Sequence, residues 1–145
     1  MHRGMLIFLN NAGQLYRRML VPVQEETGLT QAELDILLFL ANNPGYDTAS
    51  DIVSVRRLAK SNVSVGIRKL EQKGLLLRRL DARDRRIEHL ELTSAAAGAV
   101  ELGRKSQEAF GAALVQGLTF EERQELERLM GQIHQNLEQM WDETK

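Results

Sequence analysis

The sequence has 145 residues, of which 43% are hydrophobic and 27% charged, and its formal net charge is −1 at pH 7. This length and balance predict one folded domain and exclude a disordered chain. Cysteine is absent, which excludes disulfide bonds, thiolate metal sites and a cysteine nucleophile. The apolar run at residues 5–9 is too short for a signal peptide or a membrane span, so we expect a cytoplasmic protein.

The charge is unevenly distributed along the chain. Residues 56–90 contain eleven basic and four acidic residues, a net charge of +7, whereas the rest of the chain carries −8. A compact basic segment in an acidic chain is typical of a surface that binds a polyanion. Charge alone fits a solvated surface equally well, so the interpretation depends on the elements that carry it.

The first two predicted elements are helices. Apolar residues at three- and four-residue spacing predict a helix from about residue 2 to about residue 23, and Pro22 leaves its end open. Thr30 and Glu33 have the spacing of a capping box, which predicts the start of a second helix. That helix is expected to end at residues 42–45, which read Asn-Asn-Pro-Gly.

A short third helix follows. Thr48 and Asp51 have the spacing of a second capping box and predict its start. Residues 60–62 are expected to break it. Ser61 or Asn62 is then expected to cap a fourth helix, because both side chains can accept a hydrogen bond from the backbone of the first turn.

The fourth helix is followed by a change of period. One face of this helix is apolar, at Val63, Ile67 and Leu70. Gly74 is expected to end it, since glycine adopts the left-handed conformation common just after a helix. Residues 75–80 and 87–92 then predict an antiparallel hairpin with a polar turn at residues 81–84 and a basic tip.

Two further helices complete the chain. Thr93 and Ser94 are expected to cap a fifth helix that runs to about residue 115. Thr119 and Glu122 form a third capping box, which predicts a sixth helix. Its apolar residues recur on average every 3.5 positions, the period of a coiled-coil seam: Leu126, Met130, Ile133, Leu137 and Met140.

Three short helices followed by a hairpin predict a winged helix-turn-helix, a mainly α fold with a β wing. In that fold the last of the three helices enters the major groove of DNA and the wing approaches the minor groove. Asn and Ser side chains can both donate and accept, Val can pack on a thymine methyl group, and Arg suits a narrow minor groove. The predicted DNA-contacting residues are Lys60, Ser61, Asn62, Ser64, Val65, Arg68, Lys69, Arg83, Arg85 and Arg86.

Three motifs resemble the multiple-antibiotic-resistance regulator (MarR) family. Residues 70–75 read Leu-Glu-Gln-Lys-Gly-Leu, residues 81–86 read Asp-Ala-Arg-Asp-Arg-Arg, and residues 90–93 read Leu-Glu-Leu-Thr. The resemblance implies that Arg86 is the wing arginine and that Asp84 is the acid that orients it.

The resemblance also implies how the chain is organised and what it does. A single domain over residues 1–145 would contain a DNA-binding part at about residues 30–93 and a helical dimerisation part at about residues 1–28 and 94–145. The family implies a homodimer on a palindromic operator, usually repression, and often release by a small phenolic or anionic effector.

The predicted dimerisation residues lie on the sixth helix: Leu126, Met130, Ile133, Leu137, Met140 and Trp141. The same seam also fits packing against the first helix within one subunit, and both arrangements can hold at once.

No sequence feature predicts catalysis. The chain lacks a Ser-His-Asp order, a glycine-rich phosphate loop and paired metal-ligand spacing. We therefore expect no enzyme activity, no catalytic residue, no metal and no cofactor. The alternative to a DNA-binding regulator is a helical interaction module whose basic hairpin binds an acidic protein.

Overall fold

The computed structural model describes residues 2–145 of the chain. The helices are α1 (His2–Thr27), α2 (Gln31–Asn42), α3 (Ala49–Arg56), α4 (Lys60–Gln72), α5 (Ala97–Leu114) and α6 (Phe120–Glu143). The strands β1 (Leu76–Leu80) and β2 (Glu88–Leu92) form an antiparallel hairpin. The predicted mainly α fold with a β wing is confirmed. The chain forms two compact units, one up to Phe110 and one from Gly111 onward.

α1 continues past Pro22 to Thr27, four residues beyond the predicted end. Proline cannot donate a backbone hydrogen bond, and in a helix interior this costs about 3 kcal/mol. Leu20 and Val23 flank the proline closely and are buried in the core, and their burial offsets part of that cost. Gly28, at φ +70°, follows the last helical residue.

α2 is the central element of the first unit, and it contacts α1, α3, α4 and β2. Its apolar residues belong to one core cluster with Ile52 of α3, the buried face of α4, Leu76 of β1 and Leu90 of β2. The fully buried side chains of this core include Leu34, Ile36, Leu37, Ile52, Leu70 and Leu76. The core therefore holds the helix-turn-helix and the wing together.

All three predicted capping boxes are confirmed. The Thr30 hydroxyl accepts a hydrogen bond from the Glu33 backbone N–H at 3.2 Å, and the Glu33 carboxylate accepts one from the Thr30 N–H. The same reciprocal pair occurs at the starts of α3 and α6. Each box satisfies backbone donors that the first turn of a helix leaves unpaired.

The predicted cap of α4 is wrong. The helix begins at Lys60, its N-cap residue is Ala59, and no side chain makes a capping hydrogen bond there. Arg57 makes the turn from α3 in the left-handed conformation, at φ 59°. The turn is therefore tighter than predicted. Ser61 and Asn62 lie inside the first helical turn with exposed side chains.

The end of α4 is confirmed at Gly74, whose φ is +72°. The N–H of Leu75 donates to the carbonyl of Leu70 at 2.9 Å, and the N–H of Gly74 donates to that of Glu71 at 2.9 Å. This is the Schellman motif, which reverses the chain after a helix. The predicted hairpin follows, with each strand one residue shorter than predicted.

The predicted cap of the fifth helix by Thr93 is also wrong, because Thr93 makes no side-chain capping bond. Its hydroxyl donates to the carbonyl of Gly74 at 2.6 Å, and its N–H donates to that of Leu75 at 3.0 Å. Thr93 thus closes the open end of the hairpin. A 3-10 turn over Ser94–Ala96 then leads into α5, which ends at Leu114, one residue before the predicted end.

The second unit comprises the end of α5 and the whole of α6. No side chain of α6 is buried. The predicted seam residues are exposed to between 36% and 62% in the single chain: Leu126, Met130, Ile133, Leu137, Met140 and Trp141. This unit therefore presents an uncovered apolar surface.

Candidate nucleic-acid interface

α4 has two distinct faces. Its core face is apolar and closely packed, and Gly66 on that face lies against Ile36 of α2. All residues predicted to contact DNA from this helix lie on the opposite, exposed side: Lys60, Ser61, Asn62, Ser64, Val65, Arg68 and Lys69. The helix is thus held by its core face and leaves a polar, basic face open to solvent.

The wing turn is shaped by one carboxylate. Asp81 Oδ2 accepts hydrogen bonds from the backbone N–H groups of Arg83 and Asp84, both at 2.9 Å. The adjacent wing residues Arg83, Arg85 and Arg86 are exposed. Asp81 therefore holds the backbone from which these guanidinium groups project.

Asp84 forms a two-pronged ion pair with Arg86. Arg86 Nε donates to Asp84 Oδ1 at 3.0 Å, and Arg86 Nη2 donates to Asp84 Oδ2 at 2.9 Å. These bonds, and a third from the Arg86 backbone N–H, hold the pKa of the Asp84 carboxyl below its usual range. The Arg86 side chain remains 90% exposed. The arrangement orients the arginine without burying it.

The basic residues of the hairpin strands are neutralised within the protein. Arg78 pairs with Glu71 of α4 at 3.0 Å and with Glu88 of β2 at 3.2 Å, and Arg79 pairs with Glu91. In contrast, no salt bridge of the described residues involves five exposed cations: Lys60, Arg68, Lys69, Arg83 and Arg85. α4 and the wing tip therefore carry exposed positive charge that no acidic side chain of the described residues neutralises.

His89 links the wing to the loop before α3. Its side chain is only 20% exposed, and its ring nitrogens lie 2.8 Å from Asp47 Oδ1 and 2.8 Å from Asp81 Oδ1. The hydrogen bonds to Asp47 and Asp81 raise the pKa of His89 above its ordinary 6.5. Asp47 lies 42 residues away in sequence, so no local motif signals this contact.

The same contact acts on Asp81. The hydrogen bond from His89, followed by those from the backbone N–H groups of Asp84 and Arg83, lowers the pKa of Asp81 to about 2. The Leu90 N–H also donates to the Asp47 carbonyl at 2.7 Å. Backbone and side chain together therefore join β2 to the start of the helix-turn-helix.

A cavity of about 200 Å³ lies elsewhere in the first unit, between α1, α2 and α5. Tyr16, Phe39 and Gln107 line it together with Arg56. The Gln107 amide donates to the Tyr16 hydroxyl at 2.8 Å, and Arg56 donates to Asp35 at 3.2 Å. The walls combine aromatic surface with one cation, one carboxylate and neutral polar groups.

This order of helices and hairpin, with an exposed polar face on α4 and arginines at the hairpin tip, defines a winged helix-turn-helix protein. Residues 27–87 match the family model described as MarR family. The match spans α2, α3, α4, β1 and the wing turn, and over these elements the chain is similar to the MarR family.

Solved structures share the fold over nearly the whole chain. The transcriptional regulator SlyA has a TM-score of 0.82 at 19% identity, covering 97% of this chain and 99% of that one. A MarR family regulator from Listeria monocytogenes, complexed with a 26mer DNA, has a TM-score of 0.79 at 17% identity, covering 97% and 91%. BpsR from Bordetella bronchiseptica, whose DNA binding is regulated by 6-hydroxynicotinic acid, has a TM-score of 0.69 at 24% identity, covering 92% and 99%.

No curated protein matches the sequence closely enough to count as a relative. Within residues 2–145, no helix has the length and apolar character needed to cross a bilayer.

Proposed function

We propose that this protein binds double-stranded DNA in a sequence-specific manner and represses transcription as a homodimer on a palindromic operator. The main support for this proposal is the exposed, unneutralised basic surface formed by α4 and the wing tip. The ion pair between Arg78 and Glu71 joins the wing to α4, so both elements can approach one duplex together. The DNA complex of the Listeria monocytogenes neighbour supports this assignment.

The two parts of this surface have different roles in the proposal. α4 occupies the major groove, where Asn62 donates to and accepts from base edges and Val65 packs on a thymine methyl group. The wing occupies the adjacent minor groove, where the permanently charged Arg85 and Arg86 meet concentrated negative potential. Lys60, Arg68 and Lys69 bind phosphates, which positions the protein without reading sequence.

Homodimerisation is proposed from the uncovered apolar side chains. The α6 seam is exposed in the single chain, and so are Met5, Leu6, Ile7, Phe8 and Leu9 near the start of α1. Soluble monomers rarely leave runs of apolar side chains such as either of these open to water. A two-fold dimer would present two copies of α4 to half-sites about 34–36 Å apart, one turn of DNA.

The cavity between α1, α2 and α5 is the proposed effector site. Its aromatic walls suit a small phenolic molecule, and an anionic molecule would compete with Asp35 for the Arg56 guanidinium. The regulation of BpsR by 6-hydroxynicotinic acid is a precedent in a protein of this fold. Such a molecule would release DNA by binding more tightly to a form in which the two copies of α4 no longer match their half-sites.

A selection experiment tests the proposal. The purified protein would be incubated with a random-sequence duplex pool at moderate salt, and the bound DNA amplified and sequenced. A two-fold symmetric enriched sequence, bound by the wild type and much less by the Arg85→Ala/Arg86→Ala double variant, is expected. Absence of any enriched sequence would overturn the proposal and favour the helical interaction module.

A further inference from the structure

We propose that His89 is a positioning residue for DNA binding: its imidazolium ties Asp81, which shapes the wing turn, to Asp47 at the start of the helix-turn-helix. Operator affinity should then fall as His89 loses its proton. This inference rests on the proposed function, because it concerns how the wing is held while DNA is bound.

The geometry requires a charged ring. Both ring nitrogens lie 2.8 Å from carboxylate oxygens, and an ionised carboxylate can only accept. A neutral imidazole has one N–H and one lone pair, so one of the two contacts would set a lone pair against a carboxylate oxygen. The imidazolium donates to both Asp47 and Asp81.

The contact extends to the wing arginine through a continuous series of bonds. Asp81 Oδ1 accepts a hydrogen bond from the His89 imidazolium. Asp81 Oδ2 accepts hydrogen bonds from the backbone N–H groups of Arg83 and Asp84. Asp84 in turn holds the Arg86 guanidinium. Loss of the His89 proton therefore loosens the anchor of the backbone that presents Arg86.

Charged groups on both strands of the hairpin act on the His89 ring. In the hairpin register, Arg79 is directly opposite His89 and acts to lower its pKa, but it pairs with Glu91. The two hydrogen-bonded carboxylates act in the opposite direction and outweigh it. The pKa of His89 is raised in the folded protein. The stabilisation of the wing by protonated His89 is therefore fully present below about pH 6.5 and is lost as the pH rises through the raised pKa.

Three variants test the inference. His89→Gln removes the titrating group, Asp47→Asn removes one of the two carboxylates, and His134→Gln is the control, because His134 is an exposed histidine of α6 in the second unit. The dissociation constant for a duplex enriched by the wild type would be measured from pH 5.5 to 9 at constant ionic strength. Circular dichroism would establish that each variant is folded.

The expected results differ among the variants. The wild type and His134→Gln should bind more weakly as the pH rises through a midpoint above 6.5, and Asp47→Asn should lower that midpoint. His89→Gln should bind about threefold to tenfold more weakly than the wild type at pH 6 and equally at pH 9. A wild-type pH profile in His89→Gln, or an unmoved midpoint in Asp47→Asn, would overturn the inference while leaving the proposed function intact.

A measurement without DNA separates the two proposals. Backbone order at residues 82–86, measured by ¹⁵N relaxation, should decrease with rising pH in the wild type and be low at all pH values in His89→Gln. If the wing order depends on pH in this way but the protein enriches no DNA sequence, the role of His89 in holding the wing would stand and the proposed function would be rejected. Equal wing order in both proteins at pH 6 would reject the anchor.

Discussion

Gly66 of α4 lies directly against Ile36 of α2. A Cβ atom built on Gly66 would come within 2.4 Å of Ile36 Cδ1, and the Ile36 side chain is fully buried. The absence of a side chain at Gly66 therefore sets the distance between the helix proposed to read DNA and the central helix of the core.

Gly66→Ala should lower the free energy of unfolding by up to about 2 kcal/mol, because overpacking this closed core costs about 1–3 kcal/mol and the better helix propensity of alanine offsets up to about 1 kcal/mol of that. Gly111→Ala is the matched control, since Gly111 lies in α5 and a methyl group added there would meet no atom within 4 Å. That change should be neutral or stabilise by up to about 1 kcal/mol. Urea denaturation of both variants measures the difference, and equal stabilities would contradict the packing argument.

Arg86→Ala should weaken operator binding and make it less dependent on salt. The arginine carries a permanent charge on a 90% exposed side chain at the wing tip, and if its loss from the minor groove also removes a phosphate contact, the salt slope falls by about one. Titrations at several salt concentrations measure this slope. Lys105→Ala removes one exposed charge from α5 and should leave the slope unchanged. Wild-type binding by Arg86→Ala at every salt concentration would show that the wing does not engage DNA.

Asn62→Ala should affect specificity more than general affinity. Asn62 is exposed in the first turn of α4, where a recognition helix meets base edges. Its loss should cost about 1–3 kcal/mol on the preferred duplex and relax discrimination at one base pair. Competition against single-base variants of the duplex tests this. If binding to preferred and random DNA fell equally, Asn62 would be a backbone contact instead.

Ile133→Asp or Leu137→Asp should abolish the dimer and operator binding together. Both side chains lie on the exposed apolar seam of α6, and an aspartate there would place an unpaired charge in the proposed interface. Gln135→Asp adds the same charge at an exposed position outside the seam and should keep the dimer. Light scattering measures the mass, and circular dichroism tests folding. A folded monomer with wild-type affinity for the full palindrome would contradict the dimer proposal.

The starts and ends of several elements were determined by the sequence itself. The three capping boxes and the glycine after α4 work within a few residues, because their partners are backbone groups of the same turn. The period change from helix to hairpin is equally local. These signals, with the basic bias of residues 56–90, predicted the winged helix-turn-helix and its place in the chain.

Only the tertiary structure decided which of the polar side chains predicted to cap a helix do not do so. Ala59 rather than Ser61 or Asn62 precedes α4, because the turn at Arg57 starts the helix earlier. Thr93 bonds across the hairpin base to Gly74 rather than capping its own helix. In the second case a backbone carbonyl 19 residues away replaced the partner that the short motif predicts.

The contact of His89 with Asp81 and Asp47, which holds the wing, also depends on the tertiary structure. His89, Asp81 and Asp47 are brought together because the loop before α3 runs beside β2, and a contact across 42 residues leaves no spacing in the sequence. The fit of Gly66 against Ile36 is likewise invisible before the helices pack. Local hydrogen bonding thus determined where the elements lie, whereas the packing of distant segments decided how the helix and the wing are held.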